Sequence, residues 1–430
     1  MRTSCAALPA FLLLLMTGCG VPQQPDTVSP TPQAATLETA APSVTPAATE
    51  TPALSLHWIA AQNSAGRYQR ELVYGQNGYG DGGVVARYLD FSQATEQIVG
   101  EPLEVENANV SLYADEEALY WIWSGMVTDT PVLLRSNLDG SNRVPLYEFP
   151  QGTAVAVWDN GLASDGTALY FRYCHISQEP QIPDAYELVR LDPETQTLET
   201  LTEWDTFSGD LVGVWDGQLL ITRTTLGEDC PSKPVYSHYH VDNLEELSPW
   251  LTTSLCAFDP VTGQETVLYS CQGSWLDRRL EQGALWTLDA QNRLLCRPLG
   301  ETEDRVVTQL PGPMQIWGVY TDDILLYGQE DEREWLYLYQ RAEDTLTRSP
   351  QRRWFGEEDR AIIVVGQAEP GQYLVIDDAS TGMQQLARSD GTQYLIDGYA
   401  RYAIASRDAL LDSDLSLTPV TRPGTPQTIS

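Results

Sequence analysis

The chain carries a single lysine, Lys233, among 430 residues, and sets 25 basic side chains against 60 acidic ones for a formal net charge of −35. So negative a protein repels a phosphate backbone, which argues against nucleic-acid binding. Histidines number four. No H-E-x-x-H pair, G-x-S-x-G elbow, P-loop or C-x-x-C pair occurs, so the signatures of zinc peptidases, serine hydrolases, nucleotide binders and dithiol redox proteins are all missing. No D-x-[DN]-x-[DN]-G loop with a trailing acid accompanies the negative charge, which therefore reads as a solvated surface and not as a calcium store. The glycine-rich NGYGDGG at 77–83 lies between two strand-like runs and reads as a turn. Neither a cofactor nor a metal is called for.

Long apolar runs are equally scarce. AALPAFLLLLM (Ala6 to Met16), preceded by Arg2, is too short to span a bilayer as a helix, which needs about 20 residues, but suits the core of a signal peptide. It ends in Met16-Thr17-Gly18-Cys19. These residues resemble the lipobox of bacterial lipoproteins, with methionine in place of the usual leucine. The resemblance implies a signal peptide over 1–18, lipid on Cys19, and a location on the outer face of the bacterial cell membrane. Gly20 to Pro52 holds seven prolines and seven threonines and no aromatic or basic residue. It buries too little apolar surface to offset its chain entropy and reads, with Cys19, as a disordered tether over 19–53 with a reach of about 100 Å. The folded domain is expected over 54–420, followed by a loose tail over 421–430.

Helical periodicity is nowhere sustained. Runs of Val, Tyr, Trp, Leu and Thr bounded by Gly, Asp and Pro recur instead. One recurring unit is a pair of β-rich runs split by a tight turn: VSLYADEEALYWIW from Val110, LVGVWDGQLLITR from Leu211, QIWGVYTDDILLYG from Gln315, AIIVVGQAEPGQYLVID from Ala361 and RYAIASRDALLDSD from Arg401. The other is a strand–turn–strand such as VLLRSNLDGSNRVPLYE, ELVRLDPETQTLETL or QQLARSDGTQYLI. The two alternate, giving four short strands per period of about 50 residues, the signature of a propeller blade. The fold class is therefore all-β: a single β-propeller of about seven four-stranded blades, with six or eight left open. Because the second unit leads and the first ends the chain, strands from both ends are expected to complete one blade, with 401–414 supplying the closing pair. LYWIW followed by LLRSNLDGSNRV is similar to the YWTD-type propeller repeat, and ALWTLD from Ala284 echoes it. The resemblance, to bacterial lipoproteins with YWTD-like propellers, implies the fold and says little about activity.

Two consecutive links between second and third strands are long. CHISQEPQIPDAYE runs from Cys174 to Glu187 and TTLGEDCPSKPVYSHYHVDNLEELSPW from Thr224 to Trp250. Long links in compact domains tend to carry function. The candidate binding residues are His175, Tyr236, His238, Tyr239, His240 and Trp250. Cys174 and Cys230, one in each insertion, are candidates for a disulfide. His238 and His240, at strand spacing, also allow a metal reading with His175, Asp242 or Cys230, although no metal is expected. Acidic pairs such as Asp322-Asp323 read as turn caps, since Asp side chains bond nearby backbone N–H groups. The functional reading is a non-catalytic binding module for a protein, peptide or glycan. The alternatives are a glycan hydrolase or lyase with carboxylates at the tunnel mouth, and a structural envelope factor.

Overall fold

The computed structural model describes residues 55–61, 67–75, 78–103, 110–123, 130–155, 161–177, 184–204, 209–237, 240–273, 278–355, 358–379, 384–387, 393–396, 400–413 and 416–421. All belong to the unit Leu54–Ser430. Cys19 lies outside them.

Short antiparallel strands assemble into seven four-stranded blades arranged as a propeller ring. Blade 2 shows the unit: Val110–Ala114, Ala118–Trp123, Val132–Asn137 and Val144–Glu148 pair in sequence order. Blade 3 repeats it with Gly161–Ser164, Leu169–His175, Ala185–Asp192 and Thr197–Trp204. Blade 4 follows with Leu211–Trp215, Gln218–Leu226, Leu251–Phe258 and Glu265–Gln272. Blade 5 comprises Arg278–Glu281, Ala284–Leu288, Arg293–Pro298 and Arg305–Gln309, and blade 6 Met314–Val319, Asp323–Glu330, Arg333–Gln340 and Thr345–Arg348. Blade 7 is Ile363–Glu369, Gln372–Ala379, Ala400–Ser406 and Leu417–Pro419.

Among the described residues the large apolar clusters collect where one blade faces the next. Leu112 and Trp121 of blade 2 meet Val84 and Val99 of blade 1, and Tyr113 and Ile122 meet Leu162 and Phe171 of blade 3. The same happens between blades 3 and 4, 4 and 5, 5 and 6, and 6 and 7. The seventh cluster joins Leu374, Tyr402 and Ile404 of blade 7 to Leu89 and Phe91 of blade 1. A cluster at every junction closes the ring, and each sheet stays because both its faces are covered.

The closure differs from the expectation. Residues 401–414 are not a first-and-second-strand hairpin. Ala400–Ser406 is the third strand of blade 7, and a helical turn, Arg407–Leu411, follows it, capped by Ser406 Oγ accepting from the Ala409 N–H at 3.1 Å. The segment 384–396 is likewise no third-and-fourth-strand pair; it forms a hairpin, Gln384–Ala387 with Gln393–Ile396, between the second and third strands of blade 7. That hairpin joins the Tyr68–Gly75, Gly78–Asp90 and Thr95–Leu103 strands of blade 1 through the pair Tyr74 and Leu395. Strands from both ends of the chain do complete one blade, but the contributed strand is 393–396. The outer rim is joined as well, because Thr421 N–H donates to Ala94 O and Glu96 N–H to Thr421 O.

A strand with no counterpart in the repeat precedes all of this. His57–Ala61 pairs with the first strand of blade 3 and with the first strand of blade 2, so the two blades become one continuous sheet. First strands line the centre of a propeller, so this entry strand occupies the inner edge. Gly161 makes room for it: a Cβ there would lie 2.5 Å from Ile59 O and 2.6 Å from the Trp58 ring.

The tight turns follow the Asx chemistry read from the sequence. Asp90 Oδ1 accepts from the Ser92 and Gln93 N–H groups and the Ser92 hydroxyl, and Asp139 Oδ1 accepts from Ser141 N–H. In both, the serine hydroxyl first and the backbone donors second hold the carboxyl below its usual range. Since the folded values are depressed, their stabilisation is complete above the unfolded value of about 4 and is lost as pH falls through the folded ones. The urea midpoint should therefore stay level from pH 8 to 5 and drop in acid below about pH 4. Asp90→Ala with Asp139→Ala should shrink that acid drop, and an identical acid limb in the double variant would contradict this account.

Candidate functional site

Links between second and third strands, and links between blades, leave the same face of a propeller. On that face the blade 3 insertion begins at His175, the last residue of its strand, half exposed, with Nε2 3.2 Å from Glu187 Oε1 and the ring edge-on to Tyr173 at 5.0 Å. Residues 178–183 lie outside the described set. Asp184 at the return is buried and accepts from Ser177 N–H at 2.7 Å, tying the loop's two ends together. Cys174 is directed the other way, into a small apolar cluster with Ala154, Ile176 and Tyr186.

The blade 4 insertion has an architecture of its own. Tyr236–Ser237 pairs antiparallel with His240–Val241 as a miniature two-stranded ladder. His238 and Tyr239 lie outside the described residues, as does the His240 side chain. Asn243 holds the ladder, its Oδ1 accepting from Val235 N–H at 2.9 Å while its Nδ2 donates to Lys233 O at 3.1 Å. A helical turn, Leu244–Leu247, buries Leu247 fully. Ser248–Trp250 then leads back to the blade, with Trp250 O accepting from Gly227 N–H and the Trp250 side chain 40% exposed. Tyr236 is half-buried. Cys174 and Cys230 are both thiols in this structure, the first facing the apolar cluster described above. Among the described residues no three His, Cys, Asp or Glu side chains gather as a metal site.

A third element on the same face escaped the sequence reading. The link from blade 6 to blade 7 folds into a hairpin, Arg352–Phe355 with Glu358–Ala361. Arg352 anchors it: Nε to Asp359 Oδ2 at 2.9 Å, Nη1 to Glu334 O at 2.7 Å, and the guanidinium over the Trp335 ring at 4.6 Å. Arg348 covers the same indole at 4.3 Å. Trp354, on this hairpin, is 67% exposed. Beside it blade 6 has a cleft of about 420 Å³ lined by Pro311, Pro313, Met314, Glu330, Tyr337 and Arg348, among others. The signal for this element was RRWF, an arginine pair before two aromatics in a strongly acidic chain. By contrast, the gap between blades 4 and 5 lined by Leu255, Tyr269 and Arg297 measures about 10 Å³, at most the room for one water.

The acidic turns divide into two kinds. Asp115 and Asp165 cap their own turns, each accepting from two backbone N–H groups. Asp165 also accepts from Tyr170 OH, and Tyr170 is pushed up to about 12 by burial first and by that carboxylate second. Asp323 is different: fully buried, it accepts from Arg407 Nε at 2.8 Å and from the Tyr373 hydroxyl, both on blade 7. It is an inter-blade pin and not the turn cap expected for the Asp322-Asp323 pair.

No family model and no curated protein matches the chain. Among solved structures it is similar to an oligogalacturonate lyase from Vibrio parahaemolyticus, with 11% identity over 83% of this chain and 86% of that one at a TM-score of 0.39. An oligogalacturonate lyase in complex with manganese gives 14% identity over 84% and 91% at 0.41. Porphyromonas gingivalis dipeptidyl peptidase 4 gives 8% over 83% of this chain at 0.44, and the chain covers 51% of its length. The propeller assignment rests on the strand pairing, and these likenesses carry nothing about chemistry.

Proposed function

We propose that this chain is a lipid-anchored propeller of the bacterial cell surface that binds a protein, peptide or glycan through its insertion-bearing face and catalyses no reaction. The lipobox-like Met16-Thr17-Gly18-Cys19 and the tether behind it support the anchor, and LYWIW in blade 2 supports kinship with YWTD-like lipoproteins. The observation that carries the binding role is the placing of exposed tryptophan. Among the described residues Trp250 and Trp354 are the exposed tryptophans, and both stand on links that leave one face. Single exposed apolar residues need no explanation, but indoles held on structured links, one a helical turn and one a hairpin, are what a binding surface uses, since they bury much area at small entropic cost.

The test is capture by crosslinking on intact envelopes. A partner recovered with the wild-type chain should be lost from the Tyr236→Ala, Trp250→Ala, Trp354→Ala variant, whose stability should stay within about 1 kcal/mol of wild type, as for surface changes. Unchanged recovery from the folded triple variant would sink the binding reading. Cys19→Ser should abolish labelling by a fatty-acid analogue and release the protein from membranes; label retained by the serine variant would remove the anchor.

A further inference from the structure

We propose that the blade 6 cleft is a subsite for a neutral saccharide, one or two rings of a glycan. The proposal rests on the reading of this face as a binding surface and gives it a ligand class.

Size comes first. At about 420 Å³ the cleft is within the range of roughly 300–1,000 Å³ typical of small-ligand sites. Its lining is mixed in a particular way. Pro311, Pro313, Met314 and Leu346 offer C–H surface, and the two prolines lack backbone N–H donors. That suits the apolar face of a pyranose. On the other side Glu330 and Arg348 form an ion pair in which both side chains stay about half exposed, 48% and 44%. Glu330 Oε2 also accepts from Tyr337 OH at 3.2 Å, which fixes the carboxylate. Arg348 is fixed too, by stacking on Trp335 at 4.3 Å.

A pre-positioned acceptor beside a pre-positioned donor is what vicinal hydroxyls require, because each hydroxyl both donates and accepts. The side chains of both partners lose little freedom on binding, since Tyr337 and Trp335 already hold them. The charge argument selects against other ligands. An anion would face Glu330 with Asp331 and Glu332 next to it in sequence, and a cation would face Arg348. The pair cancels its own charge, so a neutral polyhydroxyl ring is the class that both walls accept. Asp331 and Glu332 form the turn between the second and third strands, with φ of 53° and 61°, on the face that also carries Trp354's hairpin.

The test uses the full chain in detergent micelles, titrated by calorimetry with maltohexaose, cellohexaose, xylohexaose and chitohexaose, and with a hyaluronan hexamer as the anionic control. Tryptophan emission gives a second readout, since Trp335 stacks on Arg348, the guanidinium that would meet the ligand. At least one neutral hexasaccharide should bind with a dissociation constant below about 1 mM. Arg348→Ala should weaken it by about tenfold or more, the scale of a charge-assisted hydrogen bond. Glu330→Gln, which keeps shape and loses charge, should also weaken it and decides the matter if Arg348→Ala does not fold. Val261→Ala, an exposed residue in the turn between the third and fourth strands of blade 4, should leave the affinity unchanged. No neutral binder, wild-type affinity in both cleft variants, or tighter binding of the hyaluronan hexamer would each overturn the proposal. Capture of an envelope partner through Trp250 and Trp354 is measured separately, so failure here leaves that reading standing or falling by itself.

Discussion

Replacing Asp323 by alanine should cost the domain about 3–5 kcal/mol, the range for breaking a buried ion pair from one side. Asp323 is wholly buried, and Arg407, 24% exposed at its side chain, donates to it from both Nε and Nη2 at 2.8 Å. Without the carboxylate, the acid left to Arg407 among the described residues is the more exposed Asp322, at 3.7 Å. Tyr373, whose burial and bond to Asp323 push its hydroxyl well above the ordinary tyrosine value, loses its acceptor. The damage would extend along blade 7, because Arg407 opens the helical turn that places Leu410 in the blade 6–blade 7 core. That turn also accepts hydrogen bonds from Ser349 and Gln351, next to the blade 6 cleft's outer strand. Asp323→Asn should recover part of the loss by keeping an acceptor, and Tyr373→Phe should cost only about 1 kcal/mol, one hydrogen bond. Equilibrium urea unfolding of the three variants orders them. An alanine variant within 1 kcal/mol of wild type would mean the pair adds nothing beyond what its desolvation takes away.

That pin also shows where sequence reading stops. Asp115, Asp165 and Asp323 all stand where a first strand turns into a second one, Asp323 as the second strand's first residue. Two cap their own turns, a bond made within three residues, which local chemistry foretells. The third reaches 84 residues along the chain to Arg407, and nothing nearby announces it. The blade count was legible for the same reason the turn caps were: strand alternation and Asx turns are local. The closing blade was misread because the sequence QQLARSDGTQYLI satisfies every local rule of a blade's outer half. Only pairing decides that its second strand belongs to blade 1. The insertions of blades 3 and 4 were visible as breaks in the period. The blade 6 cleft was not, since its lining comes from all four strands of the blade and the link before them, which only the fold brings together.

Gly161→Val should be the other severe substitution, although it adds only three carbons at an inner edge. The Cβ alone would stand 2.5 Å from Ile59 O and 2.6–2.7 Å from Trp58 ring atoms, and backbone cannot yield there without breaking pairs from His57 opposite Ser164 to Ala60 opposite Gly161. The entry strand would have to leave. Ile59 would then vacate the blade 2–blade 3 core and Trp58 the blade 3–blade 4 core, while the first strands of both blades would lose their inner partner. Overpacking by itself costs about 1–3 kcal/mol, and two emptied core positions put the total above about 3 kcal/mol. Hydrogen exchange locates the effect better than a melting curve. Amides of 57–61 should lose protection in the variant while blades 5 and 6 keep theirs, because local opening is confined to the elements that lose contacts. Gly312→Ala is the matched control, for a Cβ at Gly312 meets nothing within 4 Å, and it should leave both protection and stability at wild-type values. Should Gly161→Val behave like that control, the strand His57–Ala61 is not seated between blades 2 and 3 in solution.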